Sequence, residues 1–157
     1  MLRVKKVGKQ TDNLLKKMGR NYKVQVGHFK DQGEHYSGMS YPELMEFHHR
    51  GTGVGPGEVP ARPVLTFVGE SVDNTTFRPM QDVFRSRYTL KAILEALTDI
   101  GENIKDIEQD IIGSSPPLKA NAPRTLIIRY QEGRGTENSP LEDTGDLKDN
   151  VEVRIKK

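Results

Sequence analysis

The chain has 157 residues, of which 34% are hydrophobic and 29% charged, a length that fits one domain, or one domain with projecting arms, more easily than two. Because cysteine is absent, disulfide frameworks, thiolate zinc sites and cysteine nucleophiles are excluded. The net charge of only +2 argues against a dedicated nucleic-acid binder, and the lack of a long apolar run predicts a soluble protein with no membrane partner.

Charge is distributed unevenly along the chain. Residues 3–30 are rich in Lys and Arg and contain the single acid Asp12, whereas residues 95–110 are rich in Asp and Glu and contain the single base Lys105. We interpret both segments as solvated faces. The alternative is that their opposite charges join copies of the chain or different proteins.

The first forty residues predict a helix, a strand and a loop. Thr11 or Asp12 can cap a short helix over 13–18, so residues 1–20 are expected to form a basic N-terminal helix or arm. Apolar and polar side chains then alternate over 22–28, which is the period of a half-buried strand. Glycine and serine residues indicate a loop over 31–40.

The next stretch predicts a helix followed by an open loop. Ser40, with Pro42 and Glu43 after it, is typical of a helix start. Glycine and proline residues predict a flexible loop over 50–60, where this helix must end. The apolar run over 63–72 is too short for its periodicity to distinguish a helix from a strand.

The strongest signal is an apolar stripe that predicts one long helix over 79–112. From Leu90 the stripe advances in alternating steps of three and four residues, and Val83 lies one heptad earlier. The members that we expect to be buried are Ile93, Leu97, Ile100, Ile104 and Ile107. A coiled coil is the alternative, but the acids lack matching bases and Gly101 interrupts the stripe, which favours packing on a sheet.

The C-terminal part is predicted to return the chain to the sheet. Residues 123–130 form either a short helix capped by Thr125 or a strand, and 133–140 form a second flexible loop. Alternating apolar residues predict a strand over 151–155. The expected fold class is therefore α+β: a small, mainly antiparallel sheet that includes 22–28 and 151–155, with the long helix across one face and extended loops.

One triplet matches a catalytic motif. Asp143, Thr144 and Gly145 spell the motif of aspartic proteases, in which two such aspartates share a proton. That motif follows an apolar strand and precedes most of a β domain, whereas here Glu142 comes before it and a short tail follows. We therefore interpret the triplet as a structural turn in which the Asp143 carboxylate accepts local N–H bonds and Gly145 takes a positive φ. A hydrolase that uses Asp143 is the weaker alternative.

Metal and nucleotide sites have little support in the sequence. The histidines are His28, His35, His48 and His49. The last two are adjacent, so on a helix they would point about 100° apart and could not easily face one metal; we expect one in the core and one at the surface. The loop over 51–57 lacks the Gly-Lys-Ser/Thr ending of a phosphate-binding loop. We expect no catalytic residue, metal or cofactor.

The basic segment over 3–30 supports a second function. Its cations can contact phosphates, and Tyr22 and Phe29 can stack on bases. A small, non-specific nucleic-acid-binding module is therefore the alternative to a protein-assembly role.

Three segments, in order, carry a resemblance to a known group of proteins. Residues 46–52 read EFHHRGT, residues 60–65 read PARPVL, and residues 139–147 read SPLEDTGDL. They are similar to the His-Glu-Phe-Gly-like, Ala-Arg-Pro-Phe-like and Pro-Leu-Ile-Asp-Thr-Gly-x-Leu segments of the tail-component and virion-morphogenesis families of tailed bacteriophages. The resemblance covers residues 22–155. Glu142 stands where those families usually have an apolar residue, and residues 69–79 look like an insertion.

The resemblance implies a non-enzymatic structural protein of the virion. It would be a neck or tail-completion component that forms a homo-oligomeric ring of six or twelve copies. Its other partners would be the head connector or portal adaptor and the tail terminator or tail tube proteins, with DNA contacted only in passing. It would be located in the virion tail or neck, and in the host cytoplasm during assembly. Together with the Gly-rich loop it points to these interface residues: Phe47, His49, Arg50, Gly51, Thr52, Gly53 and Arg62.

Overall fold

The computed structural model describes residues 22–53, 57–86, 89–135 and 137–157. The helix expected over 13–18, and the whole basic arm over 1–20, lie outside these residues. The described elements are β1 (Lys23–Gly27), α1 (Tyr41–Arg50), α2 (Val64–Ser71), α3 (Arg78–Ser86), α4 (Leu90–Ile111), α5 (Pro123–Gln131), α6 (Asp146–Asp149) and β2 (Glu152–Lys156). A short 3-10 turn, Lys30–Gln32, follows β1 within the predicted loop region.

The two strands pair in an antiparallel sheet, and α4 packs against it. In β1 the side chains of Lys23 and Gln25 are exposed, while those of Val24 and Val26 are half-buried, which confirms the period-two pattern. The expected α+β class is therefore confirmed, with a sheet of two strands.

Gly101 allows the close contact between α4 and the sheet. A Cβ atom at this position would collide with the Val153 side chain and lie 3.0 Å from Cγ1 of Val24. The glycine that interrupts the apolar stripe is therefore the point where the helix backbone approaches the strands.

The expected single helix over 79–112 is wrong in one respect, because α3 and α4 are separate helices. Thr89 begins the second one: its Oγ1 accepts a hydrogen bond from the Ala92 N–H at 3.1 Å, and its carbonyl accepts one from the Ile93 N–H at 3.0 Å. A threonine cap of this kind starts a new helix, since it satisfies N–H groups that the first turn leaves unpaired. Along α4, Ile93 and Ile100 are buried as predicted, whereas Leu97, Ile104 and Ile107 are half-buried.

Contacts group the chain into two compact units. The first unit contains the described residues of Met1–Gln25, with Asp73–Asn103 and Val153–Lys157. Its core is small, and consists of the buried residues Val83, Ile93 and Ala96. The second unit contains Val26–Val72 and Ile104–Glu152. Its core is larger, and consists of Tyr41, Leu44, Met45, Val64, Val68, Ile111, Ile112, Leu118, Leu147 and Val151.

The ends of α1 follow directly from its sequence. The N–H and the hydroxyl of Ser40 donate to Oε2 of Glu43 at 3.1 and 2.6 Å, as the helix-start signal predicts. At the other end the Gly51 N–H donates to the Phe47 carbonyl, and Gly51 has a φ of 65°. A Cβ atom there would lie 2.5 Å from the Ala61 nitrogen, so only glycine fits.

The two ambiguous apolar runs are both helices. In α2, Val64 and Val68 are buried one turn apart and belong to the core of the second unit. Helix α5 begins at Pro123, with Ala122 in the capping position. The expected cap at Thr125 is therefore wrong, because proline at the first helical position starts the helix three residues earlier, with Ala122 as the cap.

The C-terminal turn leads the chain into β2 as predicted. Gly145 has a φ of 89° and precedes α6. Leu147 is buried, and Leu141 is partly buried against the same core. Both leucines therefore anchor the turn.

Candidate functional site

The proposed interface residues around the end of α1 lie at or near the surface. Arg50 is exposed and forms a salt bridge to Glu46 at 2.7 Å. Thr52 and Gly53 are exposed as well, whereas Phe47, His49 and Gly51 are half-buried.

The loop that follows is closed at its base by two hydrogen bonds. The Thr52 N–H donates to the Val59 carbonyl at 2.9 Å, and the Val59 N–H donates to Oγ1 of Thr52 at 2.8 Å. The expected loop is therefore fixed in position where it leaves α1.

Arg62 lies inside the second unit and not at its surface. Its side chain is buried, with 6% of the residue exposed. Its Nε donates to the Lys119 carbonyl at 2.9 Å, and its Nη2 donates to the Ala120 carbonyl at 3.4 Å and to Oδ1 of Asn121 at 3.1 Å. The interface assignment of Arg62 is thus corrected: the guanidinium cross-links two segments inside the second unit.

The turn expected at residues 143–145 forms, but Asp143 does not cap it. Its carboxylate accepts a hydrogen bond from the Tyr36 hydroxyl at 3.0 Å and an ion pair from Arg134. Oγ1 of Thr144 accepts the N–H of Asp146 at 3.4 Å instead. The expected local hydrogen bonds to Asp143 are therefore wrong, since an arginine and a tyrosine hydroxyl from other segments take the carboxylate.

Glu108 is the unexpected residue of α4. It lies in the acidic stretch that we interpreted as solvated, yet only 1% of it is exposed. It follows Ile104 by four residues and precedes Ile111 by three, so the helical period places it on the apolar stripe. This spacing is the signal that could have identified it.

Glu108 faces His28 inside the second unit. Nε2 of His28 lies 2.7 Å from the Leu147 carbonyl, and only a protonated nitrogen can donate there. In neutral His28 the other nitrogen, Nδ1, is therefore an acceptor, and it lies 3.7 Å from Oε1 of Glu108. When Glu108 is ionised both atoms are acceptors, and in either protonation state 3.7 Å is too long for a hydrogen bond between them. Oε1 accepts no hydrogen bond from any residue that the structure describes.

Burial perturbs the protonation of both groups. It raises the pKa of the Glu108 carboxyl to about 7, since ionisation would place an unsolvated charge in the interior. Burial also lowers the pKa of His28, and the bond to Leu147 opposes that change in part. A perturbed carboxyl beside a perturbed imidazole is typical of a functional site when both line a cavity.

The pair does line a cavity, of about 370 Å³. Its apolar wall includes Val26, Met45 and Leu65, while Glu46, His49 and Arg50 line it from α1. The Nδ1 atom of His49 is buried and has no partner within the described part of the chain. The cavity thus brings together two proposed interface residues, His49 and Arg50, with a glutamate that was assigned to solvent.

The histidines of α1 differ from expectation. We expected one in the core and one at the surface, but His48 and His49 are both half-buried. Burial lowers the pKa of His48 to about 4, with Arg62 and His35 adding repulsion. Across residues 22–53, 57–86, 89–135 and 137–157, no group of three or more His, Asp or Glu side chains is placed to hold a metal ion.

A second candidate surface lies on α5, where apolar side chains face solvent and an arginine is buried. Ile127, Ile128 and Tyr130 are exposed to 58%, 41% and 68%. Arg129, between them, is only 8% exposed and donates to the carbonyls of Ser139 and Glu142 at 3.2 and 2.8 Å. From the sequence, residues 123–130 were left as a helix or a strand, and neither alternative predicts that these apolar side chains are exposed.

None of the helices in the described ranges is long and apolar enough to cross a membrane. No protein-family model, curated protein or solved structure matches the chain. The geometry of the cavity and of α5 is therefore the basis for assigning a role.

Proposed function

We propose that the chain is a structural subunit of a tailed-phage neck or tail-completion ring, built by association of identical copies. The observation that carries the proposal is the exposed apolar face of α5. The phage setting is suggested by the resemblance of residues 46–52, 60–65 and 139–147, and all three segments lie in the second unit.

The apolar face of α5 is held outward by Arg129. Rolling the helix to bury Ile127 and Ile128 would break the hydrogen bonds of Arg129 to the Ser139 and Glu142 carbonyls. Leaving a buried guanidinium or its acceptors unpaired costs more than the exposed isoleucines do. The face therefore stays available, and a contiguous exposed apolar surface is typical of a protein–protein contact.

Ring formation needs two different surfaces on each subunit. A head-to-tail interface closes into a ring when one patch meets another patch on the next copy. The α5 face is one candidate patch. The loop that Thr52 and Val59 close, with the exposed residues Arg50 and Gly53 beside it, is the second.

Substitution on α5 tests the assembly. The variants Ile127→Asp and Ile128→Asp put a charge into the face and should shift the full chain from oligomer to monomer, measured by light scattering during size-exclusion chromatography. Thr125→Asp, an exposed position on the same helix, is the matched control and should assemble like wild type. Unchanged circular dichroism and melting would show that the variants are folded.

The proposed location in the virion neck is tested separately, by cryo-electron microscopy of virions of the phage that encodes the chain. We expect a ring of subunits between the head connector and the tail. A chain that is absent from particles, and that instead binds DNA in a salt-dependent way as a monomer, would favour the nucleic-acid-binding alternative.

A further inference from the structure

We propose that the Glu108–His28 cavity binds a primary ammonium group carried on an aliphatic stem. The two sources of such a group are a lysine side chain of another copy of the chain and a free alkylamine. The proposal concerns a different site from α5 and does not depend on ring assembly.

The buried end of the cavity offers two acceptors, and the Glu108 oxygen lacks a donor among the described residues. Oε1 of Glu108 has no hydrogen-bond partner among the described residues, and Nδ1 of neutral His28 lies 3.7 Å from it. One nitrogen atom can approach both acceptors at that separation, and an ammonium nitrogen carries three N–H donors. An ammonium would therefore supply the hydrogen bonds that this pair cannot make internally.

The walls fit a hydrocarbon stem. Val26, Met45 and Leu65 are apolar, and Leu65 is half exposed, so it lies toward the open side. The volume of about 370 Å³ falls in the range of roughly 300–1,000 Å³ that is usual for small-ligand sites. An alkyl chain can thus remain in contact with apolar side chains while its charged end reaches Glu108.

Other ligand classes fit less well. An anion would be repelled by the ionised carboxylate of Glu108, and a metal ion would need a group of ligands that the described residues do not provide. Covalent chemistry has no obvious nucleophile, because none of the described residues lining the cavity carries a hydroxyl or thiol. A cation with several N–H donors satisfies the charge and the open acceptors together.

Binding should depend on pH. The charged or titratable groups that line the cavity with Glu108 are His28, after β1, and Glu46, His49 and Arg50, on α1. Of these, Glu46 and Arg50 already neutralise each other in an exposed salt bridge. The carboxyl of Glu108, with its pKa of about 7, must lose its proton to pair with an ammonium. Affinity should therefore rise as the pH increases to that value and level off above it.

Nuclear magnetic resonance of the full chain, titrated with n-butylamine, tests the site. We expect saturable shifts of the Gly27, His28 and Leu65 amides, with affinity at least about tenfold weaker at a pH well below 7 than at a pH above it. n-Butanol, which has the same stem without the charge, should produce none of these shifts. Butanol binding as well as the amine would overturn the proposal.

Two variants identify the recognising group. Glu108→Gln keeps the side-chain shape and removes the charge, so it should abolish saturable binding while the chain stays folded. Asp106→Asn removes an exposed carboxylate of the same helix that does not line the cavity, and it should bind like wild type. If Glu108→Gln binds butylamine with wild-type affinity, or if wild type shows no saturable binding, the proposal is wrong.

Self-association distinguishes the two sources of the ammonium. Light scattering over a dilution series measures self-association of the Glu108→Gln chain. If this variant neither binds butylamine nor self-associates, the site is assigned to a lysine of another copy. A variant that loses butylamine binding but self-associates like wild type would assign it to a free amine. Either result supports the cavity as an ammonium site, whereas failure of the α5 variants to dissociate would affect only the ring.

Discussion

At the scale of single residues, ionisation of the buried Glu108 carboxyl destabilises the fold. Its carboxyl has an ordinary pKa of 4.5 and a folded-state pKa of about 7. Between these values the folded chain holds a proton that the unfolded chain has released. The free energy of unfolding therefore falls as the pH rises through this window, and stays lower above it.

Replacing Glu108 with glutamine should remove this penalty. At about pH 8, Glu108→Gln should be more stable than wild type by roughly 3 kcal/mol at most, and near pH 5 the two should be similar. Urea unfolding of both chains across this pH range measures the difference. The difference in unfolding free energy between the two chains should be compared, and not the pH profile of wild type alone. The lowered pKa of His48 makes the free energy of unfolding rise with pH in the acid range, which opposes the effect of Glu108.

A variant that is less stable than wild type at every pH would contradict this account of Glu108. It would mean that the carboxylate makes favourable contacts when ionised.

The roles of single residues were predictable where they depend only on neighbours in the sequence. The Ser40–Glu43 helix start and the positive φ of Gly145 depend only on neighbours in sequence, and both are found. Arg62 and Asp143 bond to partners far along the chain, at Lys119 and Tyr36 respectively, and no local pattern shows such partners. Glu108 was missed because its charge was given more weight than its position on the stripe.

At the scale of elements, the contact between α4 and the sheet depends on the absence of a side chain at Gly101. Gly101→Ala should lower the free energy of unfolding by about 1–3 kcal/mol, since the new Cβ would collide with Val153 and crowd Val24. Thermal or urea unfolding measures this effect.

Gly69 on α2 is the matched control for this substitution. It is exposed, and a Cβ atom there would meet nothing within 4 Å. Gly69→Ala should therefore raise the free energy of unfolding by about 0.5–1 kcal/mol through helix propensity. If the two substitutions have the same sign, the close approach at Gly101 does not determine the packing.

Elements with a sustained period were predictable, and short ones were not. The alternation in β1 and the stripe of α4 extend over enough residues for one period to stand out. The helix start at Thr89 was missed because Val83 lies one heptad before Leu90, so the apolar stripe in the sequence runs from α3 into α4 without a change of phase. In α5, three consecutive apolar residues fit a helix or a strand equally well, so the run itself did not distinguish them.

At the scale of the whole molecule, the C-terminal segment completes both the core and the sheet. Truncation after Gly145 would remove Leu147 and Val151, which are buried in the second unit, together with β2. We expect the truncated chain to be insoluble or unfolded, as judged by circular dichroism and solubility on expression.

Asp143→Ala is the contrasting substitution in the same region. Asp143 is 40% exposed where it pairs with Arg134, so its loss should cost at most about 1 kcal/mol. A soluble, folded truncation combined with a severe functional defect in Asp143→Ala would reverse this ranking and favour a chemical role for Asp143.

The α+β class was predictable because it needs only two strand patterns and one helical stripe. The assembly surface was not, since exposed apolar residues on a helix have the same sequence signature as buried ones. Ile127 and Ile128 could be separated from true core residues only after the hydrogen bonds of Arg129 fixed the orientation of α5.

The two hydrogen bonds that close the base of the loop after α1 allow the sequence of that loop to change during evolution. Thr52 and Val59 hold the two ends together through main-chain and hydroxyl bonds, so the residues between them do not determine how α1 and α2 are placed. Doubling the length of such a loop costs only about 0.6 kcal/mol in closure entropy. Insertions and substitutions can therefore accumulate between Thr52 and Val59 without refolding the second unit, and recognition of a new neighbour can evolve there on an unchanged framework.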